Sequence, residues 1–283
     1  MTAEKELSLS ESQFNRIRGI IHDSTGITIG DNRTSLLLSR LRGRLRETRD
    51  ADFKAYIARV TSDKAELQEL INRVTTNKTF FYRTPRIWQH FRDVAIPAFM
   101  ERNTRRPMRI WSAAASTGEE AYTAGMILEH TRSTQEGFDY RCTGTDISSK
   151  VLKQAEAGLY AVPALTQLRA DGTDLFDRFL GGDDTAGYKV DTQIRGRTTF
   201  KLHNLLKPLP GGASFDAVFL RNVLIYFTPE DQEAILRNVH AAMAPDALLY
   251  IGESESIARL RTDFAIIEPM IYRPAPKGGK PLT

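Results

Sequence analysis

The sequence predicts a small all-helical N-terminal domain followed by an α/β domain with a doubly wound, mainly parallel sheet. Residues 8–75 carry apolar side chains at helical spacing without a strand signal. From Met108 onwards, strand-like and helix-like segments alternate, which is typical of parallel strands joined by crossover helices. A chain of 283 residues is long enough for one large domain and one small domain.

Four amphipathic helices are predicted in the first domain, which we place at residues 1–76. The first begins at the serine-rich SLSESQF and ends at Gly26. The second, NRTSLLLSRLRGRLRET, has Leu37, Leu41 and Leu45 on one face. The last two are DADFKAYIARVTS and KAELQELINRVTT.

The segment TPRIWQHFRDVAIPAFMERNTRRP predicts a linker helix, so residues 77–107 are assigned to a linker. Residues 108–283 then form the α/β domain. Its predicted strands are MRIWSAA, FDYRCTGTDI, TTFKLHNLL, FDAVFLRNVLIYF and ALLYIGES, and FAIIEPMIYRP closes the fold. Its predicted helices are TGEEAYTAGMILEH, SSKVLKQAEAG and PEDQEAILRNVHAAM, the last with proline near its first turn.

Composition excludes several classes of protein. The chain is 41% hydrophobic and 26% charged, as in ordinary globular proteins. No apolar run approaches the roughly 20 residues that span a bilayer, and the polar N-terminus lacks a signal-peptide pattern. The one cysteine, Cys142, excludes an internal disulfide and a cysteine-based zinc site. We therefore expect a cytoplasmic protein.

Charge is distributed unevenly along the chain. Residues 1–107 hold 20 Lys and Arg against 13 Asp and Glu, whereas residues 108–283 hold 19 against 22. The front part is suited to an acidic partner. Residues 108–283 have the near-equal numbers of acidic and basic residues that are typical of an ordinary enzyme domain.

The stretch RIWSAAASTGEEAY, residues 109–122, predicts a strand, a turn of small residues and a helix. This arrangement often binds nucleotide phosphate, but the glycines of a dinucleotide fingerprint and the Lys of a P-loop are missing. Glu119 and Glu120 in the first helical turn would repel a pyrophosphate. The better ligand is a nucleoside without phosphate that carries positive charge.

Other polar residues follow the predicted strands at the same edge of the sheet. Asp146 ends the second strand, where an acid can accept both ribose hydroxyls. Asn204 follows a later strand and can pair with an adenine edge. The next strand segment ends in LRNVLIYF, with Arg221, Asn222 and Tyr226. A positively charged nucleoside bound by acids indicates S-adenosylmethionine.

Each of these residues also has a purely structural interpretation. The two glutamates stabilise a helix N-terminus, Asp146 serves as an N-cap, Asn204 forms a turn, and Tyr226 is half-buried core. Independent structural roles would not favour one edge of the sheet, however, so the shared edge favours a binding site.

Five motifs occur in order along nearly the whole chain: TTNKTFFYRTP at 75–85, RIWSAAASTGEEAY at 109–122, TGTDIS at 143–148, Asn-Leu-Leu at 204–206 and LRNVLIYF at 220–227. Together they resemble the chemotaxis receptor methyltransferases of the CheR type. The resemblance implies a helical N-terminal domain, a linker, and a Rossmann-like S-adenosylmethionine-dependent methyltransferase domain. It also implies a small antiparallel β-subdomain around residues 178–200.

The resemblance implies a role for each matching residue. The linker residues Asn77, Thr79 and Arg83 would close over the cofactor, with Arg83 also facing the reacting centre. Glu119 would contact the methionine part and Asp146 the ribose hydroxyls. Tyr226 would lie beside the transferred methyl group. The adenine pocket and its floor would comprise Asn204, Leu205, Leu220, Arg221 and Asn222.

Family members esterify glutamate side chains on the cytoplasmic helices of chemoreceptors, giving glutamyl methyl ester and S-adenosylhomocysteine. A glutamate with a pKa near about 4.3 is ionised at neutral pH, so no general base is required. Arg83 and Tyr226 are therefore expected to position the incoming carboxylate rather than act as acid or base.

The second predicted helix is strongly basic. Arg42, Arg46 and Arg49 project to one flank of it, and Arg40 and Arg44 to the other. A solvated face explains this pattern structurally, whereas the resemblance favours docking onto an acidic receptor helix. No interleaved aromatic residues or groove-binding motif support nucleic acid as the partner.

Some family members dock a C-terminal receptor pentapeptide on the β-subdomain. Here Asp183 and Asp184 occupy the turn in that region and would repel an acidic peptide, so we expect methylation that does not depend on a receptor pentapeptide.

Two alternatives to a receptor methyltransferase remain: a methyltransferase with another substrate, and a regulatory protein that binds S-adenosylmethionine or S-adenosylhomocysteine. We expect a monomer without membrane insertion.

Overall fold

The computed structural model describes residues 8–102, 105–171, 174–212 and 214–275. The chain divides into two compact units. One unit runs to Thr76 and includes Tyr226–Thr228, and the other contains the rest of the chain from Asn77.

The helical unit contains four α-helices among its described residues and a 3₁₀ turn at Asp31–Arg33. The α-helices are α1 (Glu11–Thr25), α2 (Thr34–Thr48), α3 (Phe53–Ser62) and α4 (Lys64–Val74). Ser10 and Gln13 form a capping box at the start of α1, and Gly26 ends this helix in the left-handed conformation. The buried leucines of α2 are the three predicted from its spacing.

The predicted linker helix consists of three consecutive segments. They are α5 (Pro85–His90), a π-helical segment (Phe91–Ala95) and α6 (Ile96–Glu101). Trp88 stacks on Phe219 of the large sheet at 4.9 Å between ring centroids, and Phe91 meets the same ring edge-on at 5.3 Å. These aromatic contacts fix the linker segment on the sheet of its own unit.

The large sheet has seven strands in the order β6-β2-β1-β7-β8-β10-β9. Its strands are β1 (Met108–Ala113), β2 (Tyr140–Asp146), β6 (Thr198–Leu202), β7 (Phe215–Leu220), β8 (Met243–Ile251), β9 (Phe264–Glu268) and β10 (Ile271–Pro274). Strands β1, β2, β6, β7 and β8 pair in parallel, and β10 pairs antiparallel with β8 and β9. The predicted doubly wound, mainly parallel sheet is confirmed.

The strand order reverses at β1, which lies between β2 and β7. Successive strands run outward from β1 to β2 and β6, and then return to its other side at β7. Such a switch point leaves a crevice at the carboxyl ends of the strands, where open α/β sheets bind ligands.

Six further helices accompany the sheet in the described residues. They are α7 (Glu119–Thr134), α8 (Ser149–Ala157), α9 (Val162–Ala170), α10 (Leu175–Phe179), α11 (Thr192–Arg197) and α12 (Pro229–Ala241).

Cys142 of β2 is buried, and this burial raises the pKa of its thiol to about 12. No helix in the described ranges has the length and hydropathy required to cross a bilayer.

A second, antiparallel sheet has the order β3-β5-β4, with β3 (Leu159–Tyr160), β4 (Leu180–Asp183) and β5 (Gly187–Val190). It takes in residues 159–160, which the expected range of 178–200 omits. Residues 192–200 of that range belong instead to α11 and to β6 of the large sheet. The segment predicted as one strand, FDAVFLRNVLIYF, leaves the sheet after Leu220 and forms a 3₁₀ turn at Leu224–Tyr226.

Candidate functional site

The turn between β1 and α7 bends back onto the end of β2. The backbone N–H groups of Ala114 and Ala115 both donate to the carbonyl of Thr145, over 2.9 and 2.8 Å. Ala114 and Ser116 adopt φ values of 80° and 50°, which are uncommon for any residue with a Cβ atom. The run of small residues in the sequence therefore corresponds to a tight, left-handed turn.

Gly118 ends this turn at a position where no side chain fits. Its φ is 97°, and an added Cβ would lie 2.8 Å from the Cβ of Ala155 and 2.9 Å from the hydroxyl of Tyr160. The same Tyr160 hydroxyl donates to the carbonyl of Thr117 over 2.6 Å. Tyr160 of β3 and Ala155 of α8 thus pack directly against the turn.

Asp146 lies buried at the end of β2 and is anchored to the turn. Its Oδ2 accepts from the backbone N–H of Ser116, and its Oδ1 accepts from that of Ser148, both over 2.9 Å. Burial raises the pKa of Asp146, while these backbone N–H groups oppose the rise. The bond to Ser148 is a local turn, and Ser148 rather than Asp146 is the N-cap residue of α8. The bond to Ser116 joins the acid to the β1 turn.

The two glutamates that begin α7 have different surroundings. Glu119 is buried and accepts from the hydroxyl of Thr117 over 2.6 Å, and burial raises its pKa. Glu120 accepts from Ser112 Oγ over 2.7 Å and from Arg221 Nη1 over 3.1 Å. Burial raises the pKa of Glu120 as well, and the charge of Arg221 opposes this rise.

The backbone of Arg83 is held by two side chains. Its carbonyl accepts from Arg221 Nη2 over 2.8 Å and from Trp88 Nε1 over 2.9 Å. The flanking residues Tyr82 and Thr84 have φ values of 60° and 63°. Left-handed residues on both sides of Arg83 persist only where the surroundings determine them, so the backbone position of Arg83 is fixed.

Arg221 is the most buried cation of this group, with 2% of its side chain exposed. Burial lowers its pKa, which the neighbouring Glu120 counteracts. Its guanidinium lies over the ring of Trp88 at 5.6 Å. Arg83 is half-buried, and its guanidinium lies over the ring of Phe80 at 5.6 Å.

The start of the linker also reaches the β1 turn. The backbone carbonyl of Asn77 accepts from the hydroxyl of Ser116 over 3.1 Å. Thr79 is half-buried two residues further on. Tyr82 is tied to α7, because its backbone N–H donates to Thr123 Oγ1 over 3.2 Å.

Asn204 and Leu205 follow β6 beside the end of β2. The backbone N–H of His203 donates to the carbonyl of Asp146 over 2.9 Å. Asn204 Oδ1 accepts from the N–H of Leu206 over 3.0 Å, which is the turn role considered from the sequence. Leu205 is buried at this edge.

Leu220 and Asn222 flank Arg221 at the end of β7. Leu220 is fully buried, and Asn222 is left-handed with a φ of 59°. The backbone N–H of Asn222 donates to Glu255 over 2.7 Å. The site residues predicted at the ends of β1, β2, β6 and β7, apart from Tyr226, therefore lie at the carboxyl edge of one sheet. Asn77 and Arg83 of the linker are hydrogen-bonded to segments at this edge.

Tyr226 belongs to the other compact unit. Its backbone carbonyl accepts from the N–H of Thr28 over 2.8 Å, and its side chain is half-buried. Its expected place beside the methyl group stays a prediction.

The arginines of α2 divide into two groups. Arg40 donates to the carbonyl of Val74 at the end of α4, and Arg44 makes paired hydrogen bonds to the buried carboxylate of Glu66 over 2.9 and 2.6 Å. Arg46 and Arg49 are exposed, and Arg42 is half-buried. Arg40 and Arg44 thus help to hold the helical unit together, whereas Arg46 and Arg49 face solvent.

Comparison with known families matches both units of the chain. Residues 77–272 match the model described as CheR methyltransferase, SAM binding domain, and residues 12–75 match CheR methyltransferase, all-alpha domain. The chain belongs to the CheR methyltransferase family.

Two curated relatives illustrate how far the similarity to CheR proteins extends. The chemotaxis protein methyltransferase of Escherichia coli is 34% identical over 95% of this chain and 92% of its own length. Chemotaxis protein methyltransferase 2 of Pseudomonas aeruginosa is 31% identical over 96% of each. Both matches include the helical unit and the sheet.

S-adenosylmethionine is the cofactor of this CheR domain, and the residues present fit it. Asp146 and Glu119 place buried carboxylates at the turn, which suit ribose hydroxyls and a cationic ligand. The Nε of Arg221 is buried and has no hydrogen-bond partner among the described residues. A ligand carboxylate, such as that of the methionine part, would satisfy this donor.

Sequence reasoning missed several supporting residues of this CheR site. Ser116 was considered only as a small turn residue, and Glu120 only as a second acid in the helix. Trp88 carried no polar signal, although its indole N–H holds the Arg83 carbonyl. Glu255 lies beyond β8 in a loop without a recognisable motif, and only the fold brings it to Asn222.

Proposed function

We propose that this CheR protein transfers the methyl group of S-adenosylmethionine to side-chain carboxylates of glutamates on cytoplasmic chemoreceptor helices. The products are glutamyl 5-O-methyl ester and S-adenosylhomocysteine. Membership of the CheR family and the similarity to chemotaxis protein methyltransferases support a chemotaxis substrate. A cytoplasmic location accords with this substrate.

The observation that carries the proposal is the fixed position of Arg83. Its backbone is clamped between Trp88 and Arg221, while its guanidinium remains half-buried on a ring face. A cation held in this way can bind an incoming carboxylate and orient one oxygen towards the methyl carbon. Arg83 therefore acts as a positioning group for the substrate, without taking a proton.

The cofactor supplies an electrophilic methyl group attached to a positively charged sulfur. A carboxylate oxygen forms the new bond to carbon as the carbon–sulfur bond breaks, and the two opposite charges disappear together. A site with buried acids and little water favours such a step, because both ionic reactants lose hydration while the products are neutral at these atoms. Glu119, Glu120 and Asp146 are proposed to hold the cofactor in this orientation.

Receptor docking is assigned to the exposed flank of α2. Arg46 and Arg49 carry most of it in this proposal, with Arg42 beside them, and Arg40 and Arg44 contribute through the position of the helix. An acidic receptor helix would meet these cations in a salt-dependent encounter.

The β4–β5 turn supports independence from a receptor pentapeptide. Asp183 accepts from the backbone N–H groups of Thr185 and Ala186 over 2.8 Å, and Asp184 pairs with Arg169 over 2.7 Å. Both acids are therefore built into the turn, and Asp183, which has no ion-pair partner among the described residues, would oppose an acidic tether, whereas Arg169 offsets the charge of Asp184. Deleting the receptor C-terminal pentapeptide is expected to leave methylation unchanged, whereas a large loss would refute this assignment.

The decisive experiment measures transfer of radiolabelled methyl groups from S-adenosylmethionine to chemoreceptor membranes, with and without mild base. Base-labile label on a receptor-sized band supports carboxyl esterification. Base-stable label would instead indicate a different acceptor atom. Absence of label, with cofactor binding retained in calorimetry, would favour another substrate or a ligand-sensing role.

A further inference from the structure

Glu255 binds three backbone N–H groups from two loops at the carboxyl edge of the sheet. Its Oε2 accepts from Asn222 over 2.7 Å and from Gly252 over 2.8 Å, and its Oε1 accepts from Leu224 over 2.8 Å. Loops that follow parallel strands would otherwise leave such donors without partners. Here one carboxylate acts as the internal anion of a backbone N–H concavity.

The loop after β7 passes through a left-handed residue. Asn222 has a φ of 59°, a conformation that asparagine tolerates better than most residues with a side chain but that is still less populated than the right-handed regions. At Gly252, an added Cβ would lie 2.6 Å from Asn222 Nδ2 and 2.9 Å from the Asn222 backbone nitrogen. Glu255 therefore draws Asn222 against a glycine that leaves just enough room for it.

The residue before Asn222 is Arg221, which holds the carbonyl of Arg83 and pairs with Glu120. Two of the three donors bound by Glu255, Asn222 and Leu224, follow this arginine directly in the chain. A change in the backbone of this loop would therefore be transmitted to Arg221 and to the linker carbonyl that it holds. Glu255 is thus connected to the reacting centre through the chain itself rather than by contact.

We propose that Glu255 is a positioning residue for methyl transfer, fixing the β7 loop so that Arg221 and Asn222 hold the cofactor and the Arg83 backbone. The inference rests on the proposed function for its kinetic readout. The measurement of S-adenosylhomocysteine binding does not depend on the receptor substrate, because it requires only the cofactor site of the family domain.

The first test replaces Glu255 with glutamine in the full-length protein. The amide is nearly isosteric, but its NH₂ group faces a backbone donor and cannot accept from it. We expect S-adenosylhomocysteine affinity to fall by about tenfold, since a buried donor loses its partner. The Glu233→Gln variant is the matched control, because Glu233 accepts from the backbone N–H of Arg261 over 2.9 Å in a neighbouring exposed loop.

A second variant crowds the same loop while leaving the Glu255 carboxylate in the chain, since an added Cβ at Gly252 would lie 2.6 Å from Glu255 Oε2 as well as close to Asn222. Gly252→Ala places a methyl group against the Asn222 backbone, and it should also weaken S-adenosylhomocysteine binding. The matched control is Gly196→Ala, since an added Cβ there meets nothing within 4 Å. Loss of binding in both test variants, with both controls unchanged, supports positioning of the loop.

A purely structural role predicts a different pattern. Under our proposal, Glu255→Gln lowers kcat and cofactor affinity while the KM for receptor stays constant, at temperatures well below the unfolding midpoint. In an Arg221→Ala background, the further effect of Glu255→Gln should shrink to less than about threefold, because both changes act on one loop. Undiminished cofactor binding in Glu255→Gln, or independent effects of the two substitutions, would overturn the proposal.

The two proposals fail in distinguishable ways. If the wild-type protein transfers no label to receptors, the receptor substrate is wrong, yet the binding comparison between Glu255→Gln and Glu233→Gln still decides the positioning role. If the wild type is active and Glu255→Gln matches it in binding and rate, only the positioning role is wrong.

Discussion

Arg221 donates from Nη2 to the backbone carbonyl of Arg83 over 2.8 Å, so a residue at the end of β7 holds the linker that precedes β1. The same guanidinium reaches Glu120 through Nη1. This contact combines three predicted site segments into one arrangement, and the energetics of the site depend on it.

Replacing Arg83 with alanine should reduce methyl transfer by at least about a hundredfold, because the carboxylate loses its positioning cation. The fold should persist, since the structural contacts of Arg83 with Trp88 and Arg221 use its backbone carbonyl. Initial rates with receptor membranes and a thermal unfolding curve measure the two effects. Full activity in Arg83→Ala would remove this residue from the mechanism. The control is Arg86→Ala, since Arg86 is an exposed neighbour in α5.

Asp146→Ala should weaken cofactor binding by at least about tenfold, since the ribose hydroxyls lose their acceptor and the Ser116 N–H loses its partner. Asp146→Asn keeps the shape and an acceptor oxygen, and its affinity should lie between those of wild type and Asp146→Ala. Titration calorimetry with S-adenosylhomocysteine gives the three constants. Equal constants would refute the ribose role.

Glu119→Gln tests the effect of burial on a carboxylate through pH. Burial raises the pKa of Glu119 in the folded state, so the folded state binds this proton more tightly than the unfolded state does. The Glu119 carboxylate therefore destabilises the fold increasingly as pH rises from the unfolded-state pKa to the folded-state pKa. Without cofactor, Glu119→Gln should therefore be more stable than wild type at neutral pH, and the gain should vanish near pH 4. Unfolding midpoints measured between these pH values check this dependence; a gain that does not change with pH would contradict it.

Cofactor binding should reverse the benefit of Glu119→Gln at neutral pH. If Glu119 contacts the cationic methionine part, its charge is required in the complex, and glutamine should weaken binding. Calorimetry at pH 7.5 measures this directly. A variant that is both more stable and equally tight would exclude Glu119 from the cofactor site.

The two flanks of α2 should respond differently to substitution. Arg46→Glu with Arg49→Glu should slow methylation of receptor membranes, most strongly at low salt, and leave stability nearly unchanged because both side chains are exposed. Arg44→Ala should instead destabilise the helical unit by about 2 kcal/mol, since Glu66 would remain buried without its cation. Denaturant unfolding and salt-dependent rates separate the two effects, and a rate insensitive to the paired reversal would reject docking at this flank.

Much of the fold could be predicted because the local signals agree with one another. Ser10 and Gly26 mark the ends of α1 as capping chemistry requires, and the leucines of α2 are buried as their spacing indicates. Fold class follows from the alternation of strands and helices. The strand order could not be derived in this way, because pairing partners depend on long-range packing.

The errors occurred where local propensity and backbone geometry disagree. The apolar run after Leu220 has strand-like residues, yet Glu255 draws the chain into a left-handed loop at Asn222. Similarly, residues 159–160 lie far from the glycine-rich turn in sequence, but they pair with residues 188–189 in the small sheet. Neither interaction leaves a trace in the residue pattern of its own segment.

The predicted site residues share an edge because strand ends in a parallel sheet meet there, which a sequence pattern can indicate. The partners of these residues could not be predicted. Trp88 reads as an apolar core residue in the sequence, yet its indole N–H donates to the Arg83 carbonyl. Glu255 lies in a loop beyond a later strand and accepts from the N–H of Asn222.

Cys142 has a practical consequence for spectroscopy. It is the one cysteine of the chain, and its buried thiol has a pKa of about 12, so the reactive thiolate is scarce at neutral pH. A single cysteine introduced at an exposed position such as Arg49 would therefore accept a fluorophore selectively, without a cysteine-free background. The receptor encounters proposed for α2 would then be observable as changes in emission.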